Sequence, residues 1–304
     1  METHTIHLPA RHYRELEKII SALVTQYDPH YIICFGCVEV SRSSASCFTG
    51  VNEQRSSVYF LLMITSETYR MEHQVQDYVT SHFPESNVSL AVHGLESVTQ
   101  AIHQGSRFYS AVCQYGMQLY SKTGLRLDIA YHQMNPATTL AKGSKNYHHR
   151  YGLALGFWDA AGSSYEAQNY AICMFLLHQT VEHACKALIK LFTAYRCEMH
   201  NLSRLLDLCL IFSDKLSDAL PRKTDEDKRL FALLRNSYSE ARYKDDYKVS
   251  ESDADTLLTR VKDVLDTTEL LGLARITEYE QKAAEATAEI IVQADINTQM
   301  PYAG

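Results

Sequence analysis

No run of apolar residues in this sequence approaches the roughly 20 that a bilayer-spanning helix needs, so no membrane-embedded helix is expected. Glycine and proline are scarce, at 12 and 6 in 304 residues, which argues against a turn-rich all-β chain and for long helices joined by short loops. Cationic excess is also missing. Lys and Arg number 29 against 36 Asp and Glu, a formal net charge of −7, so the surface as a whole has no electrostatic footprint for nucleic acid. Any RNA or nucleotide must therefore meet a local cluster of Arg and Lys, and no DNA-binding motif is present. Residues 1–14 hold His and charged side chains but no apolar signal-peptide core, and a cytoplasmic location is expected. The eight cysteines, at 34, 37, 47, 113, 173, 185, 197 and 209, have no framework spacing. Most sit in apolar runs such as Tyr31 to Phe35, as small buried hydrophobes in a reducing compartment do.

What is present is enough apolar residue for two cores: 46% of the chain, over a length that favours two domains. A helical pattern starts after Pro9 (Tyr13, Leu16, Ile19, Ile20, Leu23, Val24) and ends at Pro29. Tyr31 to Phe35 reads as a buried strand ended by Gly36, residues 38–56 as a polar loop, and Val58 to Ile64 as a second buried strand. A helix at 68–82, a strand at Val88 to Val92, a helix at 95–104 and a short edge element at Gly116 to Ser121 complete a small mixed-sheet α/β half. From about 137 the pattern is purely helical, over 137–162, 165–194, 201–216, 225–243 and 251–272, with a helical tail at 275–296. The second of these carries an apolar stripe of Tyr170, Met174, Leu177, Val181, Ala184, Leu188 and Phe192. Thr224 with Asp227, and Ser250 with Asp253, are spaced as capping boxes.

Helix, strand, Phe35-Gly36, loop and apolar strand in this order resemble the minimal nucleotidyltransferases, of polymerase-β-like fold, and Gly116-Met-Gln-Leu-Tyr120 is similar to that family's Gly-x-x-Leu-Tyr ending. The resemblance implies a catalytic frame in which three carboxylates hold two Mg²⁺ ions. Here those positions fall on Ser57, Tyr59 and about Ser89, and Cys37 replaces the serine that follows Gly36. Neutral side chains there leave the frame without its transfer chemistry, so no metal and no cofactor are expected. Cys34-x-x-Cys37 lacks the second pair of a zinc site and reads as structural.

Three stretches of the helical half are similar to HEPN domains: Gln179-x-x-Glu182-x-x-x-Lys186-Ala-Leu188, His200-Asn201-Leu202, and Tyr238-Ser-Glu-Ala-Arg242-Tyr243. The resemblance implies an up-and-down helical bundle, nucleotide or RNA as ligand, kinship to toxin–antitoxin proteins, and homodimer formation through this half. The fold class expected is thus α+β: a nucleotidyltransferase-like domain at 1–130, a HEPN-like domain at 137–272 and a helical tail at 273–304. Gln179, Glu182 and Lys186 recur at steps of three and four on one face, and Arg235, Tyr238 and Arg242 do so on a later helix. If the two faces meet, Arg and Lys are there for phosphate and Tyr238, Tyr243 and Tyr247 for a base. If Glu182 and Lys186 merely pair, the same residues are scaffold. HEPN ribonucleases place His four to six residues after Arg, where this chain has Glu240, Ala241 and Arg242 after Arg235, and Tyr247, Lys248 and Val249 after Arg242. No His lies between 201 and 304, so a ribonuclease would need a base outside that motif. The sequence leaves three readings: a non-catalytic nucleotide- or RNA-binding regulator, a structural dimerisation adaptor, or a ribonuclease with a non-standard site.

Overall fold

In the computed structural model, residues 5–46, 50–66, 71–127, 135–243 and 247–299 are described, and the chain divides into two compact units, Met1–Gln133 and Met134–Gly304. The first is α/β. Helix α1 (Ala10–Tyr27) starts after Pro9, whose fixed φ suits a helix entry, and ends at Asp28 in the left-handed conformation. Strands β1 (Tyr31–Ser46) and β2 (Gly50–Thr65) form one long antiparallel hairpin. Then come α2 (Glu72–His82), β3 (Asn87–Gly94), α3 (Leu95–His103), α4 (Arg107–Tyr115) and β4 (Met117–Ser121). The four-stranded mixed sheet has the order β3-β2-β1-β4, with β3 parallel to β2 and β4 an antiparallel edge.

Two sequence expectations change here. Gly36 does not end the first strand, and 38–56 is not a loop over its described residues. The register shifts between Cys34 and Gly36, a β-bulge, and the pairing continues from Cys37↔Tyr59 to Ser46↔Gly50. A bulge absorbs one extra residue and lets the strand run on, and ladder hydrogen bonds hold a polar hairpin arm that no apolar pattern announces. The helix expected at 95–104 is α3, closed by Gly105 at φ 77°, and an unexpected helix, α4, fills the stretch before Gly116.

One face of the sheet carries the main core of this unit. Tyr59, Leu61 and Met63 of β2 and Val88, Leu90 and Val92 of β3 pack with Leu16, Ile19 and Leu23 of α1 and Val75 and Val79 of α2. Alternate residues point the other way, where the Phe35 ring meets Phe60 at a tilt, 6.1 Å between centroids, and Phe108 edge to face at 5.3 Å.

The second unit is all helical: α5 (Pro136–Glu166), α6 (Tyr170–Thr193), α7 (Leu202–Cys209), α8 (Lys215–Ala219), α9 (Asp225–Tyr243) and α10 (Glu251–Gln299). Helix α6 is its axle. Its predicted stripe is buried from Met174 to Leu188, and so are His178, Thr180, Glu182, Cys185 and Lys186 on its other sides. Such all-round burial marks a central helix rather than an amphipathic surface one. The expected helix 201–216 is two, α7 and α8, parted by a turn at 210–214. The Thr224–Asp227 capping box forms with both reciprocal bonds at 3.0 Å, and the Asp253 N–H donates to Ser250.

The expected break between 272 and 275 is absent, since α10 runs unbroken through Gly272. This glycine serves packing rather than chain reversal. A Cβ there would lie 2.1 Å from Cζ of Tyr147, a fully buried ring of α5 whose hydroxyl donates to the Thr268 carbonyl at 3.1 Å. Tyr151, stacked on Tyr147, donates likewise to Leu265 O at 3.4 Å, so two tyrosines of α5 are pinned to α10. Gly272→Ala should gain helix propensity yet destabilise by about 1–3 kcal/mol through overpacking. Urea unfolding measures this, and a stabilised variant would refute the packing role.

Candidate functional site

The polar centre of the helical unit is Glu182 on α6, only 2% exposed. Lys186, one turn on, donates to its Oε1 at 2.8 Å, and His200 Nδ1 lies 2.9 Å from the same oxygen. His178, one turn back, sets Nε2 3.7 Å from Oε2, an electrostatic contact longer than a hydrogen bond. Burial pushes the Glu182 carboxyl up, but the contacts of His178 and Lys186 and the charges of Lys186 and His200 outweigh it and bring the pKa down to about 2. An ionised carboxylate only accepts, so the His200 Nδ1–H donates and neutral His200 presents a bare Nε2. His200 is half exposed, at 50% of its side chain, so this nitrogen belongs to an accessible ring.

Helix α9 closes on this row. Ser237 Oγ donates to the Met174 carbonyl at 3.1 Å, and His178 Nδ1 donates to the Leu234 carbonyl at 3.2 Å. These contacts set Tyr238 against both imidazoles, at 5.2 Å from His178 and stacked at 5.3 Å on His200. Arg242, one turn on, lays its guanidinium 4.3 Å from the Tyr238 ring centroid, with Phe175 and Tyr243 at 5.5 and 5.1 Å. Its Nε donates to the Tyr238 carbonyl at 2.5 Å, and the residue stays exposed. Among the described residues no carboxylate pairs with Arg242. Lys244, Asp245 and Asp246, which follow it closely in sequence, lie outside them.

The structure thus brings together Glu182, Lys186, Tyr238, Arg242 and Tyr243, the last 78% exposed. Gln179 flanks them, half-buried, with a buried Nε2 that has no hydrogen-bond partner among the described residues. Arg235 and Tyr247 stand apart. Arg235 is exposed and bonds its neighbour Asn236. The Tyr247 hydroxyl donates to the Leu233 carbonyl at 3.0 Å, nine residues and so half a helical turn around from Arg242. Lys190 donates to the Ala194 carbonyl at the end of α6. Sequence reasoning missed His178 and the contact of His200 with Glu182. Asn201 is the cap, its side chain accepting from Arg204 N at 3.2 Å, while His200 turns to Glu182. The His178/Glu182 spacing of four was the available signal.

In the first unit, Tyr59 and Ser57 share a strand face, but Ser89 does not join them. It is in register with Phe60, and directly paired residues point to the same side, so Ser89 faces away from Tyr59. The three transferase positions therefore do not converge. Around Tyr59 a different cluster has formed: its hydroxyl bonds Glu15 and lies 2.6 Å from Nδ1 of buried His12, whose Nε2 is 3.0 Å from Glu39 Oε1. Arg11 pairs with Glu39 in turn. Burial pushes the thiols of Cys34 and Cys37 up to about 11, which keeps both protonated and unreactive at neutral pH. Among the described residues, no group of three or more His, Cys, Asp or Glu is arranged to hold a metal.

Residues 149–271 match the HEPN domain family. A nucleotidyltransferase-like protein from Exiguobacterium sibiricum 255-15, solved at 1.90 Å, is similar at 12% identity over 89% of this chain and 80% of its own, with a TM-score of 0.28. No curated protein gives a significant match.

The carboxylate has a consequence for acid stability. Its pKa is depressed from an ordinary 4.5, so its contribution is present above that value and is lost as pH falls toward about 2. Glu182→Gln should flatten the fall in urea midpoint between pH 5 and about 2, and Glu182→Ala, which strands Lys186, should cost about 3–5 kcal/mol at neutral pH. An acid limb in Glu182→Gln parallel to that of the unmodified protein would contradict the assignment.

Proposed function

We propose, on the premise that residues 149–271 form a HEPN domain, that this chain is a non-catalytic nucleotide- or RNA-binding regulator, acting as a homodimer through its helical half. The observation that carries the reading is the exposed Arg242 guanidinium lying on the Tyr238 ring beside His200, with Tyr243 open to solvent. Arg supplies a phosphate fork and exposed tyrosine a stacking surface, the two components of sequence-tolerant recognition of single-stranded nucleic acid or a nucleotide. In an acidic chain such a local cation is what an anionic ligand would meet. Kinship to toxin–antitoxin proteins and a cytoplasmic location belong to the same proposal. Exposed Leu270 and Leu273 on α10 support pairing of two copies.

A specific observation favours one alternative. The Glu182–His200 pair is a carboxylate-oriented imidazole with its far nitrogen bare, the arrangement a general base requires. A ribonuclease reading would use His200 as that base and Arg242 on the phosphate. Anisotropy titrations of labelled ATP and short single-stranded RNA decide between these and a scaffold role. Arg242→Ala should weaken binding about tenfold and Tyr243→Ala by about 1–3 kcal/mol, with affinity falling as salt rises. Identical affinities in all three proteins would leave the scaffold. Metal-independent RNA cleavage abolished by His200→Gln would replace the regulator with the enzyme.

A further inference from the structure

A second cationic site lies beyond the HEPN match, on α10 near the end of α6. Arg275 is 7% exposed, and its guanidinium lies against two rings, 5.1 Å from Phe192 and 4.5 Å from Tyr279. Phe192 in turn stacks on Phe212 at 4.3 Å, so the aromatic wall is built of residues from three parts of the bundle. One corner of the guanidinium, Nη1, pairs with Glu278. The other edge, Nε with Nη2, is buried and has no hydrogen-bond partner among the described residues.

That edge is the one on which two N–H groups point in parallel, matching the two oxygens of a carboxylate or phosphate. Arg229 of α9 shows what it does when supplied: its Nε and Nη2 donate to the two oxygens of Glu226 at 2.8 and 2.7 Å. Aromatic faces hold the charge of Arg275, but they do not accept in-plane N–H groups. Buried donors are normally satisfied, so this pair needs an acceptor. Charge balance points the same way. Among the described residues, Glu278 serves two cations, Arg275 and Lys282, the latter donating to it at 2.9 Å, so these three side chains carry one positive charge in excess. Glu278 is 40% exposed in its side chain, so the group reaches the surface on that side.

We propose that the Nε–Nη2 edge of Arg275 is a receptor for a small oxyanion, a phosphate or carboxylate group held by two parallel N–H donors against the Phe192 and Tyr279 rings. The site is distinct from the Arg242 cluster and does not depend on the function proposed for it. Its ligand is recognised by the oxyanion rather than by a base, since the two N–H groups of that edge are buried with the ring contacts of Phe192 and Tyr279 and want acceptor oxygens, not a stacking partner.

The test is direct observation of the Arg275 Nε–H in the ¹H–¹⁵N spectrum of the full-length labelled protein, titrated at constant ionic strength with inorganic phosphate, AMP, acetate or chloride. A saturable downfield shift with phosphate and AMP assigns a phosphate group, and one with acetate alone assigns a carboxylate. Chloride should leave the resonance in place. Arg275→Lys keeps the charge and loses the fork, and should weaken the ligand-induced rise in Tm about tenfold in concentration. No shift with any oxyanion, or an equal shift with chloride, overturns the proposal. So does a thermal response in Arg275→Lys equal to that of the unmodified chain. If Arg275→Lys does not fold, the Nε–H titration decides alone.

Discussion

The helical unit is organised around a carboxylate that cannot be left alone. Glu182 sits on the most buried helix of its bundle, where an uncompensated charge would cost several kcal/mol. It is kept ionised by a buried lysine one turn along and by imidazoles from its own helix and from His200, just ahead of the Asn201 cap of α7. Each partner is then fixed by the need to stay. Lys186 is buried because Glu182 is, His200 is drawn off the helix start onto the same oxygen, and the two histidines flank Tyr238 of α9. Position, tautomer and ring stacking at the surface thus follow from one charge in the core.

This explains why the interior and exterior of the site differ in character. Glu182, Lys186 and His178 form a closed electrostatic group whose removal would damage the fold. Arg242, Tyr243 and the outer edge of His200 form the part that solvent and any ligand reach. Arg242 keeps its place through the Tyr238 ring and carbonyl rather than through a salt bridge among the described residues, so its charge is not spent internally. The first unit behaves in the opposite way. Around Tyr59, His12, Glu15, Glu39 and Arg11 are paired among themselves, and Ser89 lies on the other face of the sheet.

Much of this was legible in the sequence because it rests on periodicity. The α6 stripe, the α1 and β2 cores and the Thr224–Asp227 box follow from spacing that burial and capping impose. The polar hairpin arms of β1 and β2 were not legible, since ladder bonds stabilise them without an apolar signature. The continuity of α10 past 272 was not legible either, and Gly272 stands within it because Tyr147 occupies the space of its Cβ. At the site, the motif residues Glu182, Lys186, Tyr238 and Arg242 were found by their spacing. Helical registry alone placed Arg235 beside them, whereas Arg235 holds Asn236, and Tyr247 is tied to Leu233. The contact of His200 with Glu182 was not legible because the two residues lie 18 apart in sequence, a pairing no local pattern encodes.

The measurement that bears most directly on this account is the tautomeric state of His200, read from long-range ¹H–¹⁵N correlations of its imidazole at a pH where the ring is neutral. An ionised Glu182 accepting from Nδ1 requires the Nδ1–H form with Nε2 bare, and Glu182→Leu should release the ring to a mixture of tautomers. A neutral His200 protonated at Nε2 in the unmodified protein would contradict the central place given to Glu182.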